Sequence, residues 1–296
     1  MQTNTIHTGD CLDVLEELPN KSVHSVMTSP PYWNLRDYDH DDQLGLERTS
    51  DDYVQNIAEV MDKVQEVLRD DGSLWLNLGD TYDNKDLQQI PARVALELQE
   101  RGWILRNRVT WVKPGGGPPE SATDRLATET EAIFHFVKNK DYYYYYDGDA
   151  IREDYAESSK ERVEYEFNGT RDYETGTTSH VCQDNTMSHD GRIPGDVFEL
   201  TVRPFPEAHF AVYPPELCEK PIKATCPKDG VVLDPFAGAG TTLLKAKELG
   251  RKFIGIELNP EYADMARARV GLSPHDPSNV RGDDAQSGLE SYAGGD

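Results

Sequence analysis

The chain has 296 residues and a formal net charge of −24, with 54 acidic residues against 30 basic ones. This length suits one large α/β domain with an insertion, or two modest domains. No apolar run approaches membrane-spanning length and the start shows no basic-then-apolar leader, which predicts a cytoplasmic protein without a membrane partner.

In chain order, Val23 to Thr28 reads as a short buried strand that delivers the string Ser29-Pro30-Pro31-Tyr32-Trp33 at its C-terminal end. Asp51 or Asp52 is the expected cap of a helix. Tyr53, Val54, Ile57, Val60, Met61, Val64, Val67 and Leu68 then recur at helical spacing, up to a stop at Asp71-Gly72. Ser73 to Leu78 is the next strand. Pro91 fits the first turn of a helix running to Arg101-Gly102, followed by strands at Trp103 to Val112 and Glu131 to Lys138. Residues 141–207 break this rhythm with the tyrosine run Tyr142 to Tyr146 and abundant charge, and read as an insertion outside the sheet; the tyrosine run itself has strand alternation. Val231 to Leu233, a helix from about Gly240 to Leu249, and Phe253 to Ile256 form a strand-helix-strand unit. A last helix starts near Pro260 and ends before Gly271. The tail 271–296, rich in Gly, Ser and Asp, is expected to be disordered. The organisation is thus 1–140, the insertion 141–207, a second half 208–270 of the first domain, and the tail. Strands alternating with helices imply a mostly parallel sheet covered on both faces.

Cys11, Cys182, Cys218 and Cys226 lack C-x-x-C pairing, so neither a disulfide framework nor a zinc site is indicated. The sequence pI of about 4.6 opposes binding to phosphates. Either the protein never touches nucleic acid, or its acidity is an adaptation to very concentrated salt. Acidic residues spread over Asp39, Asp41, Asp42, Asp51, Asp52, Asp70, Asp71, Glu153 and Asp154 rather than one tail favour the second account. At molar salt the Debye length shrinks to about 3 Å, and global repulsion loses its reach.

Two strings carry chemistry. Asp234-Pro235-Phe236-Ala237-Gly238-Ala239-Gly240-Thr241-Thr242 is a glycine-rich turn between strand and helix, where backbone N–H groups can approach a nucleoside-containing ligand. Glu257, at the tip of the next strand, can accept both hydroxyls of a ribose. The spacing departs from G-x-G-x-x-G, which disfavours a nicotinamide enzyme. The other string suits a flat heteroaromatic amine. Such an amine has its lone pair delocalised into the ring, so it needs acceptors for its N–H bonds. The Ser29 hydroxyl and Pro30 carbonyl can be those acceptors, Pro31 stiffens the turn, Tyr32 can stack on the ring, and Trp33 can support it. Ring-carbon chemistry needs a cysteine nucleophile, usually after a proline. Cys226-Pro227 has the reverse order, which excludes it.

Together the strings resemble the amino-methyltransferases of DNA, and their order, amine string first, resembles the permuted β class. The weaker blocks Asn77 to Thr81, Trp103 to Lys113, Glu131 to Lys138 and His209 to Pro215 share the likeness. The resemblance implies a circularly permuted Rossmann-like fold with a mostly parallel seven-stranded sheet, beginning at the third strand of the usual order. It implies S-adenosyl-L-methionine as cofactor, bound by the Asp234, Phe236, Gly238, Gly240, Thr241 and Thr242 turn and by Glu257. Asp10 would hold the adenine amino group beside Cys11, and His209 would close over the methionine end. Duplex DNA is the implied partner, with the base flipped out and a cognate restriction endonuclease as a possible companion. The insertion stands where the family keeps target recognition, so Arg152, Lys160, Arg162, Arg171, Arg192 and Arg203 are candidate DNA contacts, and Arg36, just after the amine string, is another. Serine before Pro-Pro resembles the N4-cytosine group. An N6-adenine enzyme, an RNA methyltransferase and a silent DNA-binding protein are the competing readings.

Overall fold

The computed structural model describes residues 1–35, 43–115, 123–144, 151–155, 191–202 and 212–273. Arg36, Lys160, Arg162, Arg171, Arg203, His209, Cys182 and the tail beyond residue 273 lie outside the described residues. The chain forms two compact units, Met1–Tyr144 with Asp196–Asp296, and Tyr145–Gly195.

In the first unit the strands are β1 (Thr5–Thr8), β2 (Val23–Thr28), β3 (Leu68–Leu78), the small pair β4 (Tyr82–Asp83) and β5 (Asp86–Leu87), then β6 (Ile104–Val112), β7 (Thr130–Val137), β8 (Val197–Glu199), β9 (Val231–Asp234) and β10 (Lys252–Glu257). The helices are α1 (Cys11–Glu17), α2 (Ser50–Val67), α3 (Ile90–Glu100), α4 (Glu216–Thr225), α5 (Thr241–Glu248) and α6 (Pro260–Arg269). The main sheet has the order β1-β10-β9-β2-β3-β7-β6-β8. β7 alone runs against its neighbours β3 and β6; every other neighbouring pair is parallel.

Alternation along the central strands sorts their side chains onto the two faces. Val26, Leu74, Leu76 and Leu78 pack with Val14 of α1, Ile57, Met61 and Val64 of α2, and Leu98 of α3. Met27 and Trp75 point the other way, against Leu217 and Ile222 of α4, Leu243 and Ala246 of α5, and Ala263 and Ala266 of α6. Each face therefore carries three of these helices, the layered α/β architecture that the alternating pattern predicts.

Several details differ from the sequence reading. Among the described residues the sheet has eight strands, because β8, three residues near the end of the expected insertion, pairs in parallel with Thr110 to Val112 of β6. β1 and α1 lie ahead of the first expected strand, and Asp10 caps α1 by accepting the Leu12 N–H at 2.7 Å. Helix α2 is capped by Thr49, not by Asp51 or Asp52. Thr49 Oγ1 accepts from the Asp52 N–H at 3.1 Å and donates to the Asp52 carboxylate at 2.7 Å, and the two aspartates face the positive end of the helix. α2 stops at Val67 because Leu68 is already extended and pairs with Val23 of β2. Gly72 is a strand residue: a Cβ there would lie 2.6 Å from Leu68 Cδ1. Tyr142, Tyr143 and Tyr144 form no strand; Tyr142 and Tyr144 instead pack their rings around buried His135, which stacks on Trp75 at 4.2 Å.

In the second unit, Glu153 and Arg192 exchange backbone hydrogen bonds of 3.0 and 2.8 Å and join side chains at 2.7 Å. Arg152 Nη1 donates to the Gly191 carbonyl at 2.8 Å.

Candidate active site

Strands β2 and β9 are parallel neighbours, with Ser25 opposite Val232 and Val26 opposite Leu233. Beyond β9 the chain crosses by α5 to β10 on one side; beyond β2 it crosses by α2 to β3 on the other. Connections thus diverge between β9 and β2, and such a switch point opens a crevice at the strand C-termini. Both strings sit there. Thr28, the last residue of β2, donates from Oγ1 to Asp234 Oδ1, the last residue of β9, at 2.6 Å. That one bond joins positions 206 residues apart in the chain.

On the β9 side, Asp234 is fully buried. Its Oδ1 also accepts the Phe236 N–H at 3.1 Å, and Tyr213 Oη reaches Oδ2 at 3.4 Å. Burial pushes its carboxyl up to about 6, against the pull of the Thr28 hydroxyl and the Phe236 amide. Asp234 is therefore a clasp between the two strings. Thr242 Oγ1 donates to the Met27 carbonyl at 3.1 Å and shares a 2.6 Å bond with Tyr213 Oη, and Thr241 Oγ1 accepts from Arg269 at 3.1 Å. These two threonines fasten the turn to its surroundings. Phe236 is half-buried and packs against the α1–α2 side of the core.

The two glycines of the turn have different reasons to be glycine. Gly238 has φ +50 and a Cβ added to it would meet open space. Gly240 has φ +77 and its Cβ would lie 2.9 Å from Ala266 Cβ, so α6 is packed directly onto it. Beside Gly238 stands Glu257, whose Oε2 accepts the Gly238 N–H at 2.7 Å and Oε1 the Asn259 N–H at 2.9 Å. Burial pushes its carboxyl up to about 7, the amides of Asn259, Gly238 and Leu258 opposing and Asp234 reinforcing the rise. The ionised carboxylate offers about four lone-pair sites in all, more than these amides use. The Gly9 N–H donates to the Glu257 carbonyl at 3.0 Å, which brings Asp10 and Cys11 alongside. Cys11 is buried and its thiol is pushed up to about 12, by burial first and then by Asp10. Open space over Gly238 and a carboxylate at the strand tip fit a ribose-bearing ligand.

On the β2 side, Ser29 and Tyr32 belong to a polar network that includes residues not singled out from the sequence. Ser29 Oγ donates to Tyr32 Oη at 3.2 Å, and Tyr32 Oη donates to Glu131 Oε2 at 2.7 Å. Asn77 Nδ2 lies within reach of Ser29 Oγ at 3.2 Å, Tyr32 Oη at 2.8 Å and Glu131 Oε2 at 2.9 Å. Lys113 pairs with the other oxygen of Glu131. Burial and the Glu131 charge push the Tyr32 phenol well above its ordinary value, so it stays a donor. The ring itself remains partly accessible and lies against Gly79, where a Cβ would come within 2.4 Å of Tyr32 Cε2. The Pro31 carbonyl accepts from Tyr53 Oη at 2.8 Å, which anchors the turn to α2. Trp33 is 6% exposed and donates from Nε1 to the Glu47 carbonyl at 3.0 Å. It braces the turn.

Cys218 and Cys226 are fully buried, and burial pushes each thiol up to about 12. Neither can serve as a thiolate nucleophile at neutral pH.

Known proteins share this arrangement. Residues 23–268 match the N6/N4 methyltransferase family model, described as DNA methylase. Type II methyltransferase M.XycI of Xanthomonas campestris pv. cyanopsidis is 36% identical, over 91% of this chain and 88% of that protein. Type II methyltransferase M.Cfr9I of Citrobacter freundii is 35% identical, over 90% of this chain and 87% of that protein. Among solved structures, the PvuII DNA methyltransferase (cytosine-N4-specific) superposes with a TM-score of 0.65 at 22% identity, over 91% of this chain and 86% of that one. TTHA0409 of Thermus thermophilus, solved with S-adenosyl-L-methionine, gives 0.58 at 26% identity, over 90% and 94%. The chain belongs to the N6/N4 family of DNA methylases and is a DNA methyltransferase.

Proposed function

We propose that this protein transfers a methyl group from S-adenosyl-L-methionine to the exocyclic N4 of cytosine in duplex DNA, as the modification enzyme of a Type II system. The observation that carries this reading is the 2.6 Å bond between Thr28 and Asp234, which holds the amine string against the glycine turn. Ser29 at the head of the amine string, and the fold shared with an enzyme described as cytosine-N4-specific, support cytosine as the target.

When bound, S-adenosyl-L-methionine supplies a methyl group on a positively charged sulfur. Glu257 accepts the ribose hydroxyls on its remaining lone pairs, Asp10 takes the adenine amino group, and the space over Gly238 admits the nucleoside. Ser29 Oγ and the Pro30 carbonyl accept the two N–H bonds of the flipped cytosine amine, which turns the nitrogen lone pair out of conjugation and toward the methyl donor. The Tyr32 ring, its hydroxyl pinned by Glu131, offers a face to the base. The nitrogen then releases its surplus proton, ultimately to solvent. The charge of −24 fits work at very high salt, as in a halophilic archaeon, where base contacts outweigh phosphate attraction. Arg36, Arg171 and His209 keep their proposed roles at the DNA and the methionine end, and Arg152 and Arg192, each with guanidinium N–H groups beyond the contacts described above, keep theirs at the DNA.

The substrate class is tested by transfer of tritiated methyl groups to unmethylated duplex DNA and to RNA of matched sequence, in molar potassium chloride. Label in duplex DNA is the expected result. Label confined to RNA overturns the reading.

A further inference from the structure

The amine that Ser29 is proposed to hold is a hydrogen-bond donor, yet a serine hydroxyl can donate as well as accept. Nothing in the amine string by itself decides which it does. The direction is decided further along the network. Glu131 Oε2 is the end point of the chain and can only accept while it is ionised: it takes the Tyr32 O–H at 2.7 Å and an Asn77 N–H at 2.9 Å. Tyr32, having spent its proton there, offers only lone pairs to Ser29, so the Ser29 proton points to Tyr32 Oη at 3.2 Å. Asn77 Nδ2 adds a second donor aimed at the Ser29 and Tyr32 oxygens. Ser29 Oγ is left with its proton committed and a lone pair over.

We propose that the Lys113–Glu131 pair fixes the direction of the hydrogen-bond chain through Tyr32 to Ser29, so that Ser29 Oγ meets the target amine as an acceptor. Lys113 and Glu131 are positioning residues: both are mostly buried, with side chains 15% and 12% exposed, and both act through Tyr32. Lys113 matters because its ammonium can only donate. It demands an acceptor on its side of Glu131 as Tyr32 and Asn77 do on the other, and only a carboxylate offers acceptors on both. The topology explains how three strands meet here. Asn77 is near the end of β3, Lys113 follows β6, and Glu131 is the second residue of β7, where the antiparallel register sets Trp111 opposite Glu131. The inference rests on the reading of Ser29 as the amine's acceptor.

Glutamine at position 131 has nearly the same shape but one acceptor and one donor group. If its oxygen faces Lys113, its amide N–H confronts Tyr32 and Asn77, and Tyr32 must turn its proton back toward Ser29. If its oxygen faces Tyr32, the amide N–H confronts the Lys113 ammonium. Glu131→Gln should therefore slow single-turnover methyl transfer to unmethylated bacteriophage duplex DNA by about a hundredfold, the scale of losing one preorganised polar contact at a reacting group. Equilibrium affinity for S-adenosylmethionine should hold. Adding Lys113→Met removes the opposing ammonium, lets the glutamine oxygen face Tyr32, and should recover about tenfold of the loss. Thermal midpoints of the unliganded proteins should follow the same order, with the double variant above Glu131→Gln. Wild-type rates in Glu131→Gln, or a folded, cofactor-binding double variant no faster than the single one, would overturn the proposal. If the wild type transfers no methyl group to DNA, the functional reading falls. The order of midpoints then still decides the chain: a double variant no more stable than Glu131→Gln refutes it.

Discussion

If Glu257 holds the ribose as proposed, cofactor binding should depend on pH in a calculable way. Its carboxyl is held up to about 7 by burial, whereas a ribose donating two hydroxyls requires the ionised form. The competent fraction is then about a tenth at pH 6 and about nine-tenths at pH 8, and apparent affinity scales with that fraction, giving roughly tenfold tighter binding across the interval. Calorimetry of S-adenosylmethionine binding at pH 6, 7 and 8, in buffers of different ionisation enthalpy, should also register about half a proton released at pH 7. The α-amino group of the ligand titrates nearby, so the control is Glu257→Gln, in which that contribution persists and the Glu257 contribution vanishes. Asp234 rises in the same direction to about 6 and is present in both proteins. For the unliganded fold the sign reverses: a raised carboxyl binds a proton more tightly when folded, so its stabilisation is full below about 4.5 and is lost as pH climbs through about 7. An affinity flat between pH 6 and 8, or one whose slope survives in Glu257→Gln, refutes the assignment.

Other perturbations separate the parts of the site. Thr28→Val removes the strongest donor to a buried carboxylate, costing about 1–3 kcal/mol and lowering the thermal midpoint by about 2–4 °C for each kcal/mol; an unchanged midpoint in a melt near pH 7 denies the clasp. Gly238→Val should weaken cofactor binding more than stability, because its side chain enters open space, while Gly240→Val should unfold the protein first, because it meets Ala266. Paired melts and binding isotherms check this, and identical profiles for the two variants contradict the division of labour. Ser29→Ala should cut the single-turnover rate about a hundredfold or more while leaving S-adenosylmethionine affinity within about twofold. Equal loss of rate and affinity would remove Ser29 from the base side.

What could be read from the sequence follows the range of the forces involved. Helix α5 and strands β9 and β10 are local apolar patterns with punctuating glycines, and they fall where periodicity puts them. α1 also carried a signal, Asp10 as cap followed by buried Cys11, Val14 and Leu15, but its short companion β1 is buried only at Thr5 and Ile6 and shows no pattern of its own. β8 is a strand only because β6 offers it an edge. The tyrosine run has strand alternation, yet His135, with its ring buried against Trp75, draws two of those rings out of any ladder. The candidate site divides the same way. Ser29 and Gly238 are visible because each sits in a string whose chemistry is contiguous. Asn77 lies in β3, Lys113 just beyond β6 and Glu131 in β7, and only the antiparallel pairing of β7 with both β3 and β6 makes them neighbours.

The most direct test of the proposed activity is the identity of the methylated nucleoside. Duplex DNA incubated with the protein and S-adenosylmethionine in molar potassium chloride is digested to nucleosides and analysed by mass spectrometry. The account predicts N4-methylcytosine, lost in Ser29→Ala. N6-methyladenine as the product would leave the fold and the clasp standing and contradict the assignment of cytosine from Ser29.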